Sequence, residues 1–150
     1  MSSEHLTDAE AKRLLAMLKH ALIQELDFPL RGEKREFGLI GETNRDLFTV
    51  CIYRGRIQSL KYEIGARIQK NNILLLELHI NPRGVHQNPE PDGRKITGNH
   101  WHIYSEQYGR TMAFPADDIQ SDLFVDNTIR FLTEFHVIEP PTIHAQLELL

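Results

Sequence analysis

Residues 72–106 read NILLLELHINPRGVHQNPEPDGRKITGNHWHIYSE, and the two ends of this stretch decide the fold. In 72–80, Leu74, Leu76, Leu78 and Ile80 recur at every second position, opposite Ile73, Leu75, Glu77 and His79. A period of two is that of a strand, and a strand so apolar belongs at the centre of its sheet. In 100–106, Trp101 and Ile103 alternate with His100, His102, Tyr104 and Glu106. Facing Trp101 and Ile103 inward with Leu74, Leu76 and Leu78 removes far more apolar area from water than the opposite parity. At ~25 cal/mol per Å² the difference is several kcal/mol. A slip of one residue would move every side chain to the other face, so this parity also sets the polar side. Glu77, His79, His100, His102, Tyr104 and Glu106 should share it, with Trp101 buried. His100 and His102 should be at least partly accessible and converge with His79 or His86. Residues 81–99, broken by proline and glycine around Pro91-Asp92-Gly93, read as a long irregular loop, a kind of segment that often carries function.

Outward from this core, 36–42, 46–54 and 59–69 also read as strands, joined by turns at Asn44–Asp46 and Arg54–Arg56. Phe48, Val50 and Ile52, then Tyr62, Ile64, Ala66 and Ile68, supply the inward sides. Short connections between successive strands imply an antiparallel meander, and 111–115 adds a short sixth strand. Residues 7–26 read as a helix: Thr7 and Glu10 form a capping-box pattern, and Leu14, Leu15, Leu18, Leu22 and Leu26 make an apolar stripe. A second helix is expected over 121–137, from Val125, Ile129, Phe131, Leu132 and Phe135. The fold class is therefore α+β: an antiparallel sheet of five or six strands, covered on one face by an N-terminal and a C-terminal helix. A chain of 150 residues suits one domain. The short tail 140–150 carries Ile143, Leu147 and Leu150, a ridge that could dock on the body or form a homodimer.

The net charge of −4 argues against binding nucleic acid by bulk electrostatics. Arg54, Arg56, Lys61, Arg67 and Lys70 still form a local basic cluster, read as a solvated edge. One cysteine, Cys51, excludes an intrachain disulfide and a cysteine metal cluster, and its place in an apolar strand makes it a packing residue. The polar N-terminus does not resemble a signal peptide, and no apolar run approaches the ~18 residues of a membrane span. A cytoplasmic location with no membrane partner is the expectation.

Four of the eight histidines fall between His79 and His102, which concentrates the chemistry there. His-x-His on a strand presents two imidazoles on one face, close enough to reach one ion. Imidazole suits zinc, iron or copper. A mononuclear site would use His100 and His102 with His79, His86 or Glu106, and a divalent transition metal is the one cofactor this set suggests. A metal-free reading uses the same residues. His100, His102 and His86 would serve as general acid and base on a phosphodiester and Tyr104 would position the phosphate. Arg83, Arg94, Lys95 and Arg110 would stabilise its charge, as in small ribonuclease toxins with RNA as partner. The third reading is non-enzymatic: His100, Trp101, His102 and Tyr104 as a protein-recognition surface, in a regulatory or phage anti-defence protein.

The order His100-x-His102-x3-Glu106 resembles the first metal motif of cupins over seven residues. The second cupin motif has no counterpart, and the strands are too few for a jelly roll. A broader resemblance is to an uncharacterised family of small bacterial and phage-associated proteins. Its pattern is a Leu-rich strand, an Asn-Pro-Asp-Gly-like turn, then His-x-His-x-Tyr-x-Glu-x-Tyr-Gly and a short strand ending in proline. Here these are 73–80, Asn88–Gly93 (lengthened by Glu90 and Pro91), His100–Gly109 and Met112–Pro115. The resemblance implies a bacterial or mobile-element origin and brings no activity with it.

Overall fold

The computed structural model describes residues 5–57 and 60–145. Its elements, in order, are α1 (Asp8–Ala16), β1 (Lys19–Ala21), β2 (Glu25–Asp27), β3 (Lys34–Ile40), β4 (Leu47–Arg54), β5 (Tyr62–Ile68) and β6 (Leu74–Ile80). There follow β7 (Val85–Gln87), β8 (Lys95–Thr97), β9 (His100–Ile103), β10 (Ala113–Pro115), α2 (Phe124–Glu134), β11 (Val137–Ile138) and β12 (Thr142–His144). Among the described residues, no helix is long and apolar enough to cross a membrane.

The fold is mixed α+β, as the strand and helix periodicities indicate, but the sheet is larger than five or six strands. Eight strands pair in the order β10-β9-β6-β5-β4-β3-β1-β11, antiparallel except for the parallel pair β1–β11. The central meander follows the alternation: Val50, Ile52, Ile64, Ala66 and Leu78 are fully buried on the core face. Trp101 is buried too, opposite Leu78, and stacks on Phe131 of α2 at 6.1 Å. Phe131, Leu132 and Phe135 from α2, and Ala11 and Leu14 from α1, complete the core.

The N-terminal helix is corrected. The Thr7–Glu10 capping box forms, but the helix stops at Ala16 instead of running to 26. Leu18 and Leu22, which the helical stripe would have buried, are exposed. Lys19 explains the change. Fully buried, it donates to the carbonyls of Leu15, Met17 and Phe135 at 3.2, 2.8 and 2.9 Å, and lies 3.7 Å from the Phe135 ring centroid. Its amine, which burial pushes down to about 7, thus meets carbonyls at the C-terminal ends of both helices, where the dipoles favour its protonated form. Residues 19–21 then pair with β3 and β11, so tertiary hydrogen bonds override the helical spacing.

A second correction concerns β6. The register against β5 shifts between Ala66 and Arg67, which is a bulge. The bulge breaks the alternation, so Leu75 is fully buried in the core whereas Leu74 lies against Gly65 on the outer face. Leu76, Leu78 and Ile80 keep the expected side. Ile103, expected in the core, is 37% exposed at the sheet margin.

Residues 81–99 are not an irregular loop. They fold into the β7–β8 hairpin, turned at Gly93 (φ +61°). In the tail, Ile143 is buried because β12 pairs in parallel with β2 of the same chain. Leu147 and Leu150 lie outside the described residues.

Candidate functional site: a histidine cluster under a hairpin

The register of β6 against β9 sets Glu77 opposite His102 and His79 opposite His100. Directly opposed residues share a face, so all four side chains gather on the side away from Trp101 and Leu78. The ring centroids of His79 lie 5.0 Å from His100 and 4.6 Å from His102, and His100 and His102 are 5.0 Å apart. The hairpin then brings His86 over this patch, 5.6 Å from His100 and 4.9 Å from His102.

Asn88 fixes the hairpin. Its side chain closes a ring of two hydrogen bonds with the main chain of Ala113 in β10, accepting from the N–H at 2.7 Å and donating to the carbonyl at 2.9 Å. Asp92 accepts from Asn88 Nδ2 and from the Arg94 N–H, both at 3.1 Å, and these bonds hold its carboxyl below the ordinary value. At the other end of the hairpin the Gly98 N–H donates to the Gly84 carbonyl at 2.8 Å. Gly98 sits at φ +86°, a conformation costly for any residue with a Cβ, and its carbonyl is thereby turned to His100.

The outer hydrogen bonds set the tautomers. A carbonyl or carboxylate oxygen only accepts, so the ring nitrogen facing it in a neutral imidazole must carry the proton. His100 Nδ1 donates to Gly98 O at 2.9 Å, His86 Nε2 to Thr111 O at 3.0 Å, and His79 Nε2 to Glu77 Oε1 at 3.1 Å. Each ring keeps one nitrogen as a lone pair. His102 Nδ1 is buried with no hydrogen-bond partner, as is Glu77 Oε2, and these are the two such side-chain atoms among the described residues. One nitrogen each from His79, His100 and His102 lies within 4.8 Å of the others. Three nitrogens on one tetrahedral ion, at ~2.0–2.1 Å each, sit ~3.4 Å apart, so side-chain rotations of about an ångström close the set.

The electrostatics keep His100 and His102 neutral. Burial lowers His102 to about 4 and also lowers His100, whose bond to Gly98 only partly opposes the shift. For Glu77, burial raises the carboxyl, but the bond from His79 and the charge of Arg110 outweigh it, leaving it below its ordinary value. Arg110 Nη2 reaches Glu77 Oε1 at 2.5 Å.

The sequence-predicted residues divide accordingly. His100 and His102 meet as expected and are joined by both His79 and His86. However, His100 and His102 are 6% exposed, not accessible, because the hairpin covers them. Tyr104 is not brought to the cluster: β9 ends at Ile103, and the Tyr104 hydroxyl exchanges 3.0 Å bonds with both the N–H and the carbonyl of Leu6. Glu106 is absent from it too. It pairs with His5 at 3.2 Å and accepts from the Asp8 N–H at 3.3 Å, at the start of α1. Arg110, expected to hold a phosphate, is bound to Glu77. Sequence reasoning placed Glu77 on the correct face but gave it no role. The signal was a lone carboxylate two residues from His79 in an otherwise apolar strand.

A family model of unknown function, DUF6978, matches residues 6–137. The chain belongs to that family. Its matched span takes in α1, the whole histidine cluster and the Asn88 clamp. No curated protein and no solved structure matches this DUF6978 chain.

Proposed function

We propose that this chain is a mononuclear transition-metal protein, with His79, His100 and His102 as ligands and His86 beside the remaining coordination position. The observation that carries the reading is the arrangement of imidazoles: one ring nitrogen each from His79, His100 and His102 lies within 4.8 Å of the others, and the buried His102 Nδ1 has no other partner. A buried polar atom without a partner costs about 1–3 kcal/mol, and a ligated ion removes that cost. The outer oxygens of Glu77 and Gly98 act as the second layer that orients metal-bound histidines and raises their basicity. Three protein nitrogens with one open position form the pattern of reactive sites, where a bound ion polarises an added ligand.

Metal analysis of protein produced without a histidine tag tests the proposal. About one equivalent of zinc, iron, copper or nickel is expected, with a thermal upshift on adding zinc to stripped protein. Less than about 0.2 equivalents with no shift would remove the reading.

Metal-free acid–base cleavage of a phosphodiester, as in ribonuclease toxins, is the second reading and uses His86 with His100 or His102. It is less well supported, because burial keeps His100 and His102 unprotonated and Arg110 is engaged with Glu77. The bacterial or mobile-element setting implied by the His-x-His-x-Tyr resemblance, and a cytoplasmic location, remain part of the proposal.

A further inference from the structure

A cleft of about 200 Å³ opens onto the cluster between Lys61, Glu63, Asn81, Gly84, His86 and His100. A second cleft, of about 540 Å³, continues from it through the shared residues Lys61, Tyr62 and Glu63 to Tyr53, Arg56 and Ile57. The sheet register explains the continuity. Tyr53, Glu63, His79 and His100 are successive cross-strand partners, one row across the outer face of β4, β5, β6 and β9. Strands are spaced ~4.8 Å, so Tyr53 begins ~10 Å along the row from His79.

Charge determines what can enter. The imidazoles are neutral ligands. Glu77 is paired with Arg110, and Glu63, whose carboxylate lies within 4.8 Å of ligand atoms of Glu77 and His79, shares the wall of the inner cleft with Lys61. With Glu77 held by Arg110 and Glu63 sharing the cleft with Lys61, a divalent ion on the three imidazoles would keep net positive charge in a site that is largely out of water, where an uncompensated charge is costly. An anion at the open position would relieve it, with the Lys61 ammonium at the cleft wall as a second contact. The outer cleft supplies the Tyr53 ring and the Ile57 side chain about one small-molecule length away, with Arg56 at its border.

We infer that the site binds a small organic acid whose carboxylate ligates the ion and whose apolar, ring-sized body extends over Glu63 to Tyr53. This rests on the metal reading above and names the ligand class for that centre. The recognition is bipartite: charge at the ion and Lys61, apolar contact at Tyr53.

Cobalt(II)-loaded protein tests it, since the visible bands of cobalt report changes in its ligands. Acetate and benzoate are titrated into the wild type, Lys61→Gln and Tyr53→Ala. Both changed side chains lie at the surface, outside the core. Both acids should perturb the bands, with benzoate half-saturating at a concentration at least ten-fold lower than acetate. Lys61→Gln should weaken both about ten-fold, and Tyr53→Ala should abolish the preference for benzoate. Bands unmoved by either acid, no preference for benzoate, or binding unaffected by the two substitutions would overturn the inference while leaving the metal site standing. Protein that takes up no cobalt at all would overturn the metal reading and this inference together.

Discussion

Replacing Asn88 by alanine asks whether the hairpin clamp assembles the cluster. Asn88 is 3% exposed and Ala113, its main-chain partner, is fully buried. The bonds lost are those at 2.7 and 2.9 Å, so truncation leaves the Ala113 N–H and carbonyl with neither protein nor water as partner. At about 1–3 kcal/mol for each of these two buried groups, the loss is ~2–6 kcal/mol, the lower end applying if the hairpin lifts and admits water. In a chain of this length each kcal/mol moves the Tm by roughly 2–4 °C, so the midpoint should fall by ~4–24 °C. Urea titration followed by far-ultraviolet circular dichroism gives the free energy directly, and differential scanning calorimetry gives the Tm. Asp92→Ala is the control: it removes a partner of Asn88 but keeps both bonds to Ala113, so its effect should be much smaller. The reasoning fails if Asn88→Ala melts within 2 °C of the wild type, or if the two variants lose equal stability.

Other outcomes follow from the same geometry. Alanine at His79, His100 or His102 should abolish the zinc-dependent thermal shift, whereas His86→Ala should only weaken zinc affinity; isothermal titration of each stripped variant checks this order. Glu77→Gln keeps the shape but loses the charge facing His79, and should lower zinc affinity 10–100-fold, the usual effect of losing an outer partner. In the stripped protein, His102 stands at about 4 against an ordinary imidazole value of 6.5. A depressed folded value means that the unfolded chain takes up the proton first, so stability is full above pH 6.5 and drains away as the pH falls towards 4, by roughly 3 kcal/mol. Urea midpoints measured from pH 7.5 to 4.5 should fall accordingly, and less steeply in His102→Gln; parallel profiles would refute the assignment. Lys19→Met leaves the carbonyls of Leu15, Met17 and Phe135 without their shared buried donor, and should cost ~2–4 kcal/mol, read by the same titration.

Sequence alone determined the parts of this protein in which local pattern and tertiary environment agree. The strands β4, β5 and β6 read correctly because burial on one face imposes a period of two, and Trp101 could only point inward for the same reason. That parity carried Glu77, His79, His100 and His102 to a common outer face without any knowledge of their contacts. Tertiary structure decided the rest. The helical spacing of Leu14 to Leu26 was a local pattern without a lasting partner, and the buried Lys19 with strand pairing beside β3 took precedence over it. The bulge at Leu74–Leu75 exchanged the faces of those two side chains, which no alternation rule could foresee. The alternation of His102, Tyr104 and Glu106 suggested a continuous polar strand, yet β9 ends at Ile103 and hydrogen bonds to Leu6 and Asp8 draw the last two away. His86 reaches the cluster through a long-range bond, Asn88 to Ala113, 25 residues apart in the chain. Closure over such a distance depends on where β10 lies in the folded sheet, and local sequence does not encode that position.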